Sequence, residues 1–246
     1  MQNHIKGKVI VITGAGSGIG SATAIGLAKA GARIFLGARK TAALKEVADE
    51  IINDGGEANF LETDVTDKAQ VAALANTAVK RFGRLDVFIN NAGVSQLGAI
   101  EDLDIPGWEE MIDVNLKGVL YGMAAAIPIF KRQGAGQIIN IISTSGIKIV
   151  PGQGVYAATK NAVRTISEAF RQESDGAIRI TGISPGFVKT GFANTIKNQE
   201  MKTAILKNME TFALHPEAIA NAVIYAINQP DDVEVGDIVI RPAAQK

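Results

Sequence analysis

The sequence predicts an α/β fold: a parallel sheet of about seven strands with helices covering both faces. Two observations carry this. Short β-rich apolar runs alternate with longer helical ones along all 246 residues. No Pro-, Gly- or Ser-rich linker and no internal repeat divides them, so one domain over residues 1–246 is expected.

In chain order, strands are expected at 8–12, 33–36, 58–62, 87–89, 137–142, 178–183 and 238–240. Helices are expected at 19–30, 42–52, 68–81, 107–132, 155–173 and 216–227, where apolar residues recur at helical period. Glycines in KAGAR and RFGRL suit the left-handed position that closes a helix. Thr66 in DVTD is the expected N-cap of the third helix. Gly26 and Gly122 inside helices suggest close packing, since each costs about 1 kcal/mol relative to Ala. Residues 186–214 fit the alternation poorly and show no clear period. They are either a lid over a site or a surface insertion with one ordinary helix.

Composition narrows the function. The chain is 47% hydrophobic and 20% charged, with 25 basic and 25 acidic residues. A balanced charge gives no general field for nucleic acid or an anionic membrane, and neither partner is expected. With no cysteine, disulfides and thiolate chemistry are excluded, and His4 and His215 are the only imidazoles. No metal site is expected. The N-terminus MQNHIKGK is polar and unlike a signal peptide. The most apolar helical stretch, VLYGMAAAIPIF, is too short for a bilayer and contains Pro128. A cytoplasmic location follows as the expectation.

The first strand runs into Gly14, Gly16, Gly18 and Gly20, and then into a helix. Glycines let the backbone turn sharply and approach a pyrophosphate, whose charge the helix N-terminus favours. There is no Gly-Lys-Ser/Thr, which disfavours a nucleoside-triphosphate loop. Later, Ser143, Tyr156 and Lys160 stand at the spacing Ser-x12-Tyr-x3-Lys. Tyr156 and Lys160 fall one turn apart on one helix face, and Ser143 ends a buried strand. A hydroxyl, a phenol and an ammonium thereby converge where a proton can move to or from an oxygen.

The spacing Thr13-Gly14-x3-Gly18-x-Gly20 resembles the short-chain dehydrogenase/reductase family. So do Asn90-Asn91-Ala92-Gly93, Asn115 in DVNLKG, the Ser143, Tyr156 and Lys160 set, and Pro185-Gly186-Phe187-Val188-Lys189-Thr190. The resemblance covers nearly the whole chain. It implies a single Rossmann-type doubly wound domain, a nicotinamide cofactor, and Asn115, Ser143, Tyr156 and Lys160 as catalytic residues. Cofactor-binding positions carried over are Gly14, Ser17, Gly18, Ile19, Gly20, Asp64, Val65, Asn91, Ala92, Gly93, Pro185, Gly186, Val188 and Thr190, together with Tyr156 and Lys160. Asp64 reads equally well as a turn residue, and Asn91-Ala92-Gly93 as a tight strand-end turn.

After the second strand, where an acid in the family favours NAD, this chain has Ala38 followed by Arg39 and Lys40. A guanidinium suits a phosphate. NADP is therefore expected over NAD. The alternative is a solvated surface pair, and Ser17 lacks the basic character many NADP-dependent relatives show in the glycine loop.

A free tyrosine has a pKa of about 10. Lys160 is expected to lower it by favouring phenolate, and by resemblance to hydrogen-bond the nicotinamide ribose. Tyr156 would donate a proton to a carbonyl during reduction and accept one from an alcohol during oxidation. Ser143 would hold the substrate oxygen, with Ser145 the neighbour that competes for this assignment. By resemblance, Asn115 positions a helix bend and a water that serves Lys160. Alone, it reads as a simple interruption of the long helix.

The expected substrate walls are Val94, Ser95, Leu97, Ile147, Val150, Gln153, Phe187 and Phe192, which suits a small or medium carbonyl or secondary alcohol. A 3-oxoacyl-carrier-protein reductase-like activity is the alternative, and an idle NADP-binding sensor or assembly subunit the non-enzymatic one. Family likeness implies a homotetramer, with helices 107–132 and 155–173 forming a four-helix dimer contact and the C-terminal end completing the tetramer; the alternative is that the same faces are wholly internal.

Overall fold

The first strand, β1 (Val9–Thr13), reads VIVIT, and all five residues are buried. Successive side chains on a strand point to opposite faces. Val9 and Val11 accordingly enter one core layer, while Ile10 and Ile12 enter the other. The computed structural model describes residues 3–196 and 198–245. The first two residues of the polar N-terminal tail, Lys197 within 186–214, and Lys246 lie outside the described residues.

The other strands are β2 (Arg33–Ala38), β3 (Glu57–Glu62), β4 (Val87–Asn90), β5 (Gly136–Ile141), β6 (Ile178–Pro185) and β7 (Asp237–Ile240). They form one sheet in the order β3-β2-β1-β4-β5-β6-β7, with every neighbouring pair parallel. Helices α1 (Gly18–Lys29) and α2 (Thr41–Asn53) share one face with α8 (Pro216–Ile227). The opposite face carries α3 (Lys68–Phe82), α4 (Ile105–Ile112), α5 (Gly118–Gln133) and α6 (Gly154–Glu173). A parallel sheet buried on both sides is the architecture the alternation predicts. The order reverses between β1 and β4, so the loops leaving these two strands diverge and open a crevice.

Local chemistry sets the helix boundaries. Gly83, at φ 84°, closes α3 in the left-handed conformation and donates to the Val79 carbonyl. The N-cap of α3 is Asp67 rather than Thr66: its carboxylate accepts from the Ala69 and Gln70 amides. Thr66 is instead engaged by Asp64, which accepts from both its amide and its hydroxyl.

The long helix expected at 107–132 is continuous over Ile105–Gln133, with a π turn at Asp113–Lys117 between α4 and α5. It starts earlier than expected because Asp104 caps it, accepting from the Gly107 amide. This continuous helix is long and apolar enough to cross a membrane by length and composition, unlike the shorter stretch read from sequence. It packs against α3, α6, β4 and β5. Gly122 permits that packing, since a Cβ there would overlap the Asn90 carbonyl oxygen and lie 2.8 Å from the Phe88 ring. At Gly26 a Cβ would lie 2.9 Å from Ile224 of α8.

The segment after β6 contains a 3-10 turn, Gly191–Thr195, and one helix, α7 (Gln199–Phe212), which one of the two readings of 186–214 allowed without giving it bounds. Its base is closed by a bridge between Val188 and Leu214. The Lys189 amide donates to the Leu214 carbonyl, and the Leu214 amide to the Phe187 carbonyl.

Candidate active site

Two loops build one half of the site at the switch between β1 and β4. Gly14, at φ 63°, leaves only 2.8 Å between an added Cβ and the Ala92 Cα. At Gly20 an added Cβ would collide with the Gly14 carbonyl. Only glycine permits so tight a turn over the α1 N-terminus. The Asn91 side chain donates to the Thr13 and Gly14 carbonyls, and the Thr13 hydroxyl accepts from the Asn91 and Ala92 amides. Asn91 therefore braces the glycine loop with its side-chain amide. The Ser17 side chain leaves the first helical amides uncapped. Thr190 from the loop after β6 lies against Gly18.

This cradle fits a dinucleotide: an open helix N-terminus, glycines where side chains would intrude, and cations beyond β2. Arg39 and Lys40 are exposed, and their side chains make no hydrogen bond or ion pair among the described residues. Asp64 forms the turn with Thr66, while Val65 is buried against Gly118.

The other half lies at the ends of β5 and α6. Ser143 and Tyr156 are both buried and line the same cavity, with the serine hydroxyl placed to pull the phenol pKa down. Ser145 turns elsewhere: its amide donates to Ser143 Oγ, and its hydroxyl donates to Gln153 Oε1 at 2.7 Å. Of the two serines, Ser145 thus has its hydroxyl engaged by Gln153. Lys160, 4% exposed, donates to the Ile141 carbonyl at 2.9 Å and sits 5.9 Å from the Tyr156 ring centroid.

Burial acts on both titrating groups. It pushes the Tyr156 phenol up to about 12, against the downward pull of the Ser143 hydrogen bond. It pulls the Lys160 ammonium down to about 8. The expected lowering of the phenol pKa by Lys160 is not what this arrangement gives. Desolvation dominates, so the phenol is held protonated.

Asn115 occupies the π turn and is fully buried. It accepts from the Val94 amide at 2.8 Å and donates to the Val94 carbonyl at 2.9 Å. It also donates to Thr159 Oγ1 at 3.3 Å, and Thr159 in turn donates to the Tyr156 carbonyl. Asn115 thus ties the loop after β4 to the helix carrying Tyr156 and Lys160. A π turn is the local distortion by which a helix re-aims one side chain.

A cavity of about 770 Å³ opens beside Ser143 and Tyr156. The expected wall residues line it with one exception: Val94 is buried behind, held by Asn115. Phe192 packs at 5.8 Å from the Tyr156 ring. Ser95 lines the cavity but is fully buried, and its hydroxyl oxygen has no partner among the described residues. Sequence reasoning missed Met201, Ile205 and Met209 of α7, and the C-terminal Gln245. Gln245 accepts from the Phe187 amide and donates to Thr144 Oγ1. The helical spacing of Met201, Ile205 and Met209 is the signal that could have found α7. No short-range pattern points to Gln245.

Residues 8–201 match the short chain dehydrogenase family. A protein of Staphylococcus saprophyticus, described as an uncharacterized oxidoreductase, is 43% identical over 247 residues, covering 99% of each chain. An alcohol dehydrogenase from the archaeon Thermococcus sibiricus, complexed with 5-hydroxy-NADP, has a similar structure. Its TM-score is 0.88 at 33% identity, covering 98% of this chain and 99% of that one. A short-chain dehydrogenase/reductase from Burkholderia phymatum, in complex with NAD, gives 0.89 at 29% identity over 96% and 89% of the two chains. The present chain belongs to the short-chain dehydrogenase/reductase family. It is an oxidoreductase with a single-domain Rossmann-type fold.

Proposed function

We propose that this protein catalyses reversible hydride transfer between NADP(H) and a small or medium carbonyl or secondary alcohol. The observation that carries the reading is the buried pair Ser143 and Tyr156, opening on one cavity, with Lys160 beside them. A bound nicotinamide supplies the hydride donor or acceptor and, when oxidised, a positive charge near the phenol.

The chain's own groups handle the proton. Tyr156, held protonated, gives its proton to the carbonyl oxygen in reduction and takes the alcohol proton back in oxidation. Ser143 donates to the same oxygen as charge develops there. Lys160, protonated at neutral pH with its pKa near 8, stabilises phenolate only while the proton is away. Asn115 is a positioning residue for this set.

Gly14, Ser17, Gly18, Ile19 and Gly20 would hold the pyrophosphate, supported by Thr190 and the backbone of Pro185–Val188. Asp64, Val65 and Ala92–Gly93 would bound the adenosine. Arg39 and Lys40, unpaired and exposed, support NADP over NAD. A homotetramer is part of the reading, supported by the apolar residues exposed on the α4–α5 helix (Ile112, Leu120) and on α8 and β7 (Tyr225, Val239). Cytoplasmic residence belongs to it too, supported by the packing of the apolar helix against α3 and the sheet.

The experiment is NADPH oxidation with a ketone panel by wild type and Tyr156→Phe. The variant should lose at least 100-fold in kcat and retain NADPH binding by fluorescence. Near wild-type kcat in Tyr156→Phe refutes the mechanism.

A further inference from the structure

Gln153 is the residue immediately before α6 and precedes Tyr156 by three positions, so both project on the same side of the helix start. It lines the same cavity as Ser143 and Tyr156. Its carbonyl oxygen is already engaged, accepting from the Ser145 hydroxyl at 2.7 Å. Ser145 is itself fixed, its amide donating to Ser143 Oγ at 3.1 Å. One end of the Gln153 side chain is thus anchored to the serine loop that carries the catalytic hydroxyl. The other end, the NH2 group, has no hydrogen-bond partner among the described residues. Nor is it among the buried polar atoms left without a partner, so it stays accessible from the cavity.

An amide held by its oxygen can offer only a donor to whatever binds. The walls are mixed: Leu97, Ile147, Val150 and Phe192 are apolar, while Ser95, Glu200 and Asn208 also line the cavity. We propose that Gln153, oriented by Ser145, is a specificity-determining residue that donates to a second, neutral oxygen of the substrate. The preferred substrate is then a carbonyl compound with another carbonyl, ester or hydroxyl oxygen on a carbon one or two positions from the reacting one. This rests on the carbonyl-reductase reading and narrows it. A simple ketone would leave the Gln153 donor without a substrate acceptor. A site built to hydrogen-bond a polar substrate atom discriminates strongly against the analogue that lacks it.

Three five-carbon ketones serve as probes: 2-pentanone, 2,3-pentanedione and 2,4-pentanedione, each with NADPH and with NADH. The wild type should show kcat/KM at least tenfold higher for one or both diones than for 2-pentanone. Gln153→Leu, and the nearly isosteric Gln153→Glu, which has no donor when ionised, should each lower the dione value at least tenfold. In each, the ratio of dione to 2-pentanone kcat/KM should fall at least threefold, whatever the change on 2-pentanone itself. Ser145→Ala, which frees the amide to rotate, should lose part of the dione preference while Gln153 remains. Equal use of diones and monoketone by the wild type overturns the proposal, as does a parallel loss on all three substrates in the variants; carbonyl reduction itself would then stand. Absence of turnover on every ketone overturns the carbonyl-reductase reading and the proposal with it.

Discussion

Replacing Lys160 with Met should abolish turnover without costing the fold, and the pH dependence of that trade reports the buried charge directly. Burial lowers the Lys160 pKa from 10.5 to about 8. At 1.36 kcal/mol per unit of pH, the folded protein carries a penalty of roughly 3 kcal/mol for holding this ammonium at neutrality. Met removes the charge and keeps most of the apolar stem. It also leaves the Ile141 carbonyl without its donor, at about 1–3 kcal/mol. At pH 7 the variant should therefore match the wild type or exceed it by up to about 2 kcal/mol.

The sign of the pH dependence is independent of that balance. Between pH 8 and 10.5 the unfolded chain binds the Lys160 proton more than the folded chain does. Wild-type stability accordingly gains about 1.4 kcal/mol per pH unit from this group across the window, and nothing from it below. The stability difference between variant and wild type should be flat from pH 6.5 to about 7.5. It should then move in the wild type's favour by about 3 kcal/mol as pH reaches 10.5. Tyr156 ionises in the unfolded state above about 10, but it does so in both proteins and cancels in the difference. Urea denaturation of both proteins at matched protomer concentration measures it. A difference that stays constant through pH 8–10, or moves in the variant's favour, refutes the assignment of a buried, destabilised ammonium.

Arg39→Asp should narrow or reverse the preference for NADPH, because it removes the pairing cation and places a carboxylate beside the expected phosphate. The ratio of kcat/KM for NADPH and NADH is the readout, and an unchanged ratio counts against the Arg39 role. Gly122→Ala should destabilise the protein by about 1–3 kcal/mol in the same denaturation assay, since the new methyl group would overlap the Asn90 carbonyl oxygen and crowd Phe88.

Most of the sheet was legible because its central strands are buried on both faces, and such strands stand out as short apolar runs. The helix N-caps were less so: Asp64, Thr66 and Asp67 all have capping side chains, and only the hydrogen-bond network shows that Asp67 takes the role. Tyr156 and Lys160 were legible because one helical turn fixes their relation. Ser143 and Ser145 are alike in the sequence, which does not show that the Ser145 hydroxyl is taken up by Gln153. The acidity of Tyr156 was misjudged for a related reason. Sequence shows a lysine one turn away, but not how deeply both groups are buried. The helix α7 had no bounds in the sequence because Met201, Ile205, Met209 and Phe212 are separated by polar residues. Only Met209 of this helix is buried, so its apolar stripe lines a cavity more than it builds a core. Gln245 reaches Thr144 across 101 positions, a separation that no local pattern encodes.

The closure of Phe187 and Val188 against Leu214 gives the excursion between them a modular character. Its two ends meet at one short bridge, so β6 and α8 are joined almost as though the intervening residues were absent. Lineages can therefore lengthen, shorten or rewrite that stretch while the proton-handling helix and the sheet inherit unchanged. Substrate range and chemical step are then separately heritable parts of one chain.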